Sequence, residues 1–97
     1  MATQTIEAPT VIESQTTPKH SPKQRVLLHN DEGVAAELVI MSLMEVCQLS
    51  QTKAIEIMLT AHTTGIGLIK VCDIEMAEFY CDALKSKGVP CSIEPEE

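Results

Sequence analysis

Ninety-seven residues, 44% of them hydrophobic and 22% charged, supply enough apolar material for one compact domain. They exclude a two-domain chain and one disordered throughout. Aromatic residues are only 2%, Phe79 and Tyr80 with no Trp, so the core must be aliphatic and stacking on nucleic-acid bases is not expected. Seven Lys and Arg against fourteen Asp and Glu give a net charge of -7, a field that repels phosphate backbones and anionic lipid.

Residues 1 to 24 read as a flexible tail: six of the first 17 are Thr or Ser beside Pro9, and Pro18 and Pro22 follow. Lys19 and Lys23 balance Glu7 and Glu13 there, so the whole negative charge falls on residues 25 to 97, the expected domain. No stretch approaches the roughly 18 apolar residues of a membrane span, and the start lacks the basic and apolar regions of a secretion signal. A cytoplasmic protein without membrane or nucleic-acid partners is expected.

Residues 25 to 29 are a short apolar run that ends in the polar cluster Asn30-Asp31-Glu32-Gly33, a strand entering a turn. From Val34 to Cys47 no Gly or Pro interrupts a helix, and Glu37, Ser42 and Glu45 fall within roughly 140° of its wheel, which predicts a largely buried helix. Ser50 can cap a second helix from 51 to 64, closed by Gly65. Lys53, Glu56, Thr60 and Thr63 make its polar stripe, and Ala54, Ile55, Met58, Ala61 and His62 its apolar one.

Residues 68 to 72 form a second strand. Asp73 then caps a third helix that carries Glu75 and Glu78 toward its start, Lys85 and Lys87 near its end, and Met76, Ala77, Tyr80, Cys81 and Leu84 as its apolar stripe. Gly88 stops it. Residues 89 to 94 alternate as a last strand that Pro90 confines to an edge. The fold expected is α+β, a small three-stranded antiparallel sheet with three helices in the order β-α-α-β-α-β.

Two features could carry chemistry. The cluster from His29 to Gly33 gathers an amide and two carboxylates, acceptors suited to a cationic donor, although the same residue types also cap helices. His62 on an apolar stripe could be a ligand, a catalyst or a hydrogen-bonded core residue. Cys47, Cys72, Cys81 and Cys91 form no CxxC pair, so reduced thiols rather than zinc ligands are expected. With no nucleophile motif and no phosphate loop, no catalytic residue, cofactor or metal is expected. A non-enzymatic binding domain is.

The run Val26-Leu27-Leu28-His29-Asn30-Asp31-Glu32, then Ile57-Met58-Leu59-Thr60-Ala61-His62, Gly65 and Glu75-Met76-Ala77-Glu78, closely resembles the ClpS adaptor family over about residues 25 to 94. Residues 61 to 65 and 77 to 81 look most like its cyanobacterial and plastid branch, which implies a cyanobacterial cytosol rather than a plastid stroma. The resemblance implies a monomeric adaptor that binds proteins by a hydrophobic N-terminal residue, the N-degron. It would deliver them to a Clp AAA+ unfoldase of ClpC or ClpA type, docking on that protein's N-terminal domain. It implies that Asn30, Asp31 and His62 hold the α-amino group, and that Val34, Ala36, Val39, Met58, Ala61 and Val89 line the side-chain pocket. Glu75, Tyr80 and Gly33 match positions the family uses to dock on the unfoldase.

The chain departs from the family after Asn30-Asp31. Val34 replaces a polar Thr or Asn, Ala36 replaces a Met that gates the pocket, and Tyr80 stands where many relatives carry Lys. These changes support a second reading, a ClpS-like interaction or regulatory domain on the unfoldase with altered or lost degron recognition.

Overall fold

The first strand, β1 (Gln24–His29), is built on Val26 and Leu28, which alternation points to one face, while Leu27 between them points to the other. It is the middle strand of a three-stranded sheet, flanked by β2 (Ile66–Cys72) and β3 (Cys91–Pro95), both antiparallel to it. The computed structural model describes residues 23–96. The expected tail, apart from Lys23 and Gln24, therefore lies outside the described residues, and Gln24 already belongs to β1. Three helices complete the described residues: α1 (Ala36–Cys47), α2 (Gln51–Thr64) and α3 (Ile74–Ser86). The architecture is the α+β one expected, in the order β-α-α-β-α-β.

Local signals account for most boundaries. The Ser50 hydroxyl accepts the Lys53 N–H (3.1 Å) at the start of α2, and the Asp73 carboxylate accepts the Met76 N–H (3.0 Å) at the start of α3. Gly65 ends α2 in the left-handed region (φ 96°), its N–H donating to the Ala61 carbonyl at 2.8 Å. Gly88, also left-handed (φ 88°), lets the Val89 N–H reach back to the Leu84 carbonyl (3.0 Å). That bond draws Val89 out of the sheet, so β3 starts at Cys91, an edge strand as expected.

α2 and α3 lie directly on the face of the sheet that carries Val26 and Leu28, and α1 packs across these two helices. Ala54, Ile57 and Ala61 of α2, Ala77, Cys81 and Leu84 of α3, and Val39 and Leu43 of α1 meet Ile69, Val89 and Cys91 in one aliphatic core. All four cysteines are free thiols. β2 carries an irregularity in register, since Val26 pairs with Lys70 and Leu27 with Leu68, which leaves Ile69 as the extra residue. Ile69 turns into the core while Leu68 stays exposed.

Three expectations about helix faces are corrected. α1 is not largely buried: it is an outer helix with one packed face, and Leu38, Met41 and Met44 are exposed. Ser42, counted among its polar positions, is the side chain that points inward, at 1% exposure. On α2 the buried residue is Ile57 rather than Ile55, and His62 is exposed. On α3, Met76 is exposed.

Candidate functional site

Beyond His29 the chain leaves the sheet and crosses the end of α2. The Asn30 N–H donates to the Gly65 carbonyl (3.0 Å) and the His29 N–H to the Pro90 carbonyl (3.2 Å), so the loop is tied both to α2 and to the approach of β3. The Asp31 carboxylate accepts the Gly33 N–H (2.8 Å) and the Asp31 carbonyl accepts the Val34 N–H (3.0 Å), which makes a self-bonded Asx turn. α1 begins only after this turn, with Ala35 as its N-cap and no side-chain cap. The capping reading of the cluster is thereby overturned: neither Asn30 nor Asp31 caps the helix.

The loop closes over a cavity of about 330 Å³. Asn30, Asp31 and Glu32 from the loop and His62 from the last turn of α2 form its polar side. Val34, Ala36, Val39, Met58 and Ala61, with Leu28 and Pro90, form an aliphatic wall. Among the described residues, the side chains of Asn30, Glu32 and His62 have no hydrogen-bond or ion-pair partner, and Asp31 keeps one carboxylate oxygen unused. His29 also lines the cavity, but its Nε2 is engaged by the Ser92 hydroxyl at 2.6 Å. Unpaired acceptors beside an aliphatic hole suit a ligand end that joins several N–H donors to an apolar group.

The three residues expected to hold an amine thus share one cavity with five of the six expected pocket residues. Val89 is the exception. It is 1% exposed inside the core, because its backbone is held toward Leu84, and its neighbour Pro90 lines the wall instead. His29 and Glu32 belong to the polar cluster singled out in the sequence, whereas sequence reasoning missed Leu28 and Pro90. Strand alternation with Val26 could have pointed to Leu28; nothing in the sequence pointed to Pro90. Of the expected docking residues, Gly33 belongs to the cavity loop, whereas Glu75 and Tyr80 stand on α3, Glu75 exposed and Tyr80 half-buried. No group of three or more His, Cys, Asp or Glu among the described residues could hold a metal ion, and no described helix is long and apolar enough to cross a membrane.

The profile of the family described as ATP-dependent Clp protease adaptor protein ClpS matches residues 19–92. A protein of Synechococcus elongatus named ATP-dependent Clp protease adapter protein ClpS is 51% identical over 98 residues, covering 100% of both chains. A protein of the same name from Synechococcus sp. (strain CC9902) is 56% identical over 80 residues, covering 81% of this chain and 77% of the relative. Among solved structures, that of Agrobacterium tumefaciens ClpS2 bound to L-phenylalaninamide matches with a TM-score of 0.70 and 28% identity, covering 79% of this chain and 100% of that one. The two Synechococcus relatives agree with the cyanobacterial branch implied by residues 61 to 65 and 77 to 81. A profile that spans most of the chain, and a relative half identical along its whole length, establish that the chain belongs to the ClpS family, adaptors of the ATP-dependent Clp protease that are not themselves enzymes.

Proposed function

We propose that this chain binds proteins through a free, hydrophobic N-terminal residue and delivers them, as a monomer in the cyanobacterial cytosol, to a ClpC-type unfoldase. The observation that carries the reading is the meeting of unpaired acceptors and an aliphatic hole in one cavity. An α-ammonium group has three N–H donors, and Asn30, Asp31 and His62 supply an amide oxygen, a carboxylate oxygen and an imidazole nitrogen to receive them. The side chain on the same α-carbon enters the wall of Val34, Ala36, Val39, Met58 and Ala61. At about 330 Å³ the cavity is at the small end of ligand pockets, in keeping with one side chain rather than a folded peptide. The ligand of the Agrobacterium relative, L-phenylalaninamide, has this composition, an amine beside one apolar side chain. Docking on the unfoldase is assigned to Glu75, Tyr80 and Gly33.

The test is a titration with peptides that differ only at the first residue and at its amine. Acetylation removes the charge and donors and leaves the acceptors unpaired, which should cost about 2 to 5 kcal/mol. Asp31→Ala should weaken the free peptide and hardly change the acetylated one. Equal affinity for free and acetylated peptides would rule out the amine site. Failure to bind Leu, Phe, Ile and Val peptides alike would favour the second reading, a regulatory domain that the altered residues Val34 and Ala36 would suit.

A further inference from the structure

The pairing of β1 with β3 meets a defect where the two strands reach the cavity. Their antiparallel register runs from Gln24 opposite Pro95 to Leu28 opposite Cys91, and would next set His29 opposite Pro90. The His29 N–H does donate to the Pro90 carbonyl, at 3.2 Å. A pair joined in this way normally exchanges a second backbone bond in return, but proline has no N–H to donate, so the reciprocal bond cannot form. A side chain supplies a replacement. His29 Nε2 and the Ser92 hydroxyl share a hydrogen bond of 2.6 Å between residues 63 apart in the chain. Ser92 stands opposite Leu27, so this bond runs diagonally across the outer face of the sheet and reaches past the last regular pair, Leu28 with Cys91.

The next residue is Asn30, which lines the cavity and whose side chain has no partner among the described residues. With nothing to hold the amide itself, its direction is set by the backbone beneath it. That backbone is tied toward α2 by the Asn30 N–H to the Gly65 carbonyl (3.0 Å), and toward β3 only by the single His29–Pro90 bond and the His29 ring. We infer that His29 is a positioning residue: its ring, fastened to Ser92, closes the end of β1 where Pro90 leaves the ladder open, and so fixes the point from which Asn30 meets the amine of a bound ligand. This role rests on the amine reading of Asn30 in the preceding subsection and adds to it two side chains, His29 and Ser92, that act through Asn30 rather than on the amine. The same strand pair offers a contrast. Arg25 and Glu94, opposite each other at the far end of β1, also join side chains across the strands at 3.0 Å, but they are 40% and 47% exposed, border no cavity residue and form the kind of surface ion pair that holds little.

The experiment measures, by fluorescence anisotropy and competition, the affinity of the full chain for a peptide that begins with Leu and for its acetylated form, with urea midpoints to show that each variant is folded. Ser92→Ala and His29→Val each remove the side-chain bond, and each should weaken the free peptide about three- to tenfold, the scale of one hydrogen bond. The acetylated peptide, which has no ammonium for Asn30 to meet, should change by less than about twofold. His29→Gln, whose amide nitrogen lies close to the place of Nε2, should restore binding of the free peptide, and Glu94→Ala should match the unmodified protein. In an Asn30→Ala background Ser92→Ala should have no further effect, because the group it positions is gone. Free-peptide affinity of Ser92→Ala within about twofold of the unmodified protein overturns the inference. So does an equal loss for both peptides, or an undiminished loss in the Asn30→Ala background, either of which marks a merely structural bond. Ser92→Ala deletes one oxygen from a half-buried site, so it carries the test even if His29→Val fails to fold. If the unmodified protein binds both peptides alike, the amine site itself falls and the role of His29 with it. If it prefers the free peptide and Ser92→Ala does not alter that preference, the amine site stands and only the role of His29 is removed.

Discussion

Ala36 presents a single methyl to the cavity where the family resemblance implies a long, flexible Met, and Val34 presents two methyls where it implies a polar group. Fewer wall atoms mean a wider entrance and weaker contact with each ligand. The unmodified protein should therefore accept peptides that begin with β-branched Ile or Val alongside Leu and Phe. Ala36→Met should crowd the Cβ of such ligands and shift the preference toward Leu and Phe by about 1 to 3 kcal/mol, read from ratios of dissociation constants in fluorescence anisotropy. Unchanged ratios would remove Ala36 from the determinants of choice. Ser42 is the residue-scale counterpart in the core. Its hydroxyl is buried and has no hydrogen-bond partner among the described residues, so Ser42→Ala should raise unfolding stability by about 1 kcal/mol in urea titration without altering peptide affinity.

At the scale of elements, the cavity depends on how closely α2 approaches β2. A Cβ on Gly67 would lie 2.6 Å from the Ile57 carbonyl oxygen and 3.2 Å from an Ile57 side-chain carbon, so the strand can lie this near the helix only without a side chain there. Because the obstacle is backbone, Gly67→Ala must push the helix away, and it should cost about 1 to 3 kcal/mol of stability. Met58, Ala61 and His62 ride on that helix, so peptide affinity should fall as well. Gly65 makes a useful contrast: a Cβ there meets nothing within 4 Å, and only its positive φ resists substitution. Gly65→Ala should cost about 1 kcal/mol. A Gly67→Ala protein that keeps both stability and affinity would show that the elements can slide without consequence.

Across the whole molecule, the net charge of -7 is unevenly placed. Among the described residues three basic side chains are paired, Arg25 with Glu94, Lys53 with Glu56 and Lys87 with Glu45, which leaves carboxylates without an ion pair there at the cavity mouth and along α3. The first group favours approach of an ammonium end, and the second a basic protein surface. The buried thiols lower the stability of the fold at alkaline pH. Burial pushes the Cys47 thiol up to about 11, against the pull of Lys70, and Cys91 is raised by burial and by its neighbour Cys81. In the unfolded chain such thiols lose their protons from about pH 8.5, while the folded chain keeps them. These groups therefore leave stability level below that pH and reduce it as pH rises toward 11, by up to about 3 kcal/mol for Cys47. Urea titrations across this window should show the fall, and Cys47→Ala, though less stable at neutral pH, should show a shallower one.

Local chemistry made much of this protein legible from its residues alone. Ser50 and Asp73 with their caps, Gly65 and Gly88 as stops, and the aliphatic periods between them depend on neighbours within one turn, and they place all three helices and the order of the strands. Asn30 and Asp31 are legible as part of a polar cluster and His62 as a polar residue on an apolar stripe, but an amine role for the three is implied only by the family resemblance. Tertiary structure decided what depends on contacts between distant segments. Which arc of α1 is buried follows from its place outside α2 and α3, so Ser42 turns inward and Met41 outward against the count of polar positions. That Asp31 bonds Gly33 and leaves α1 uncapped is a property of the folded loop, and so is the exchange of Val89 for Pro90 in the cavity wall. The cavity lies where the Asn30–Gly65 and His29–Pro90 hydrogen bonds join segments that no sequence window spans, and a side chain's neighbours across such a junction are fixed by packing rather than by its own propensity.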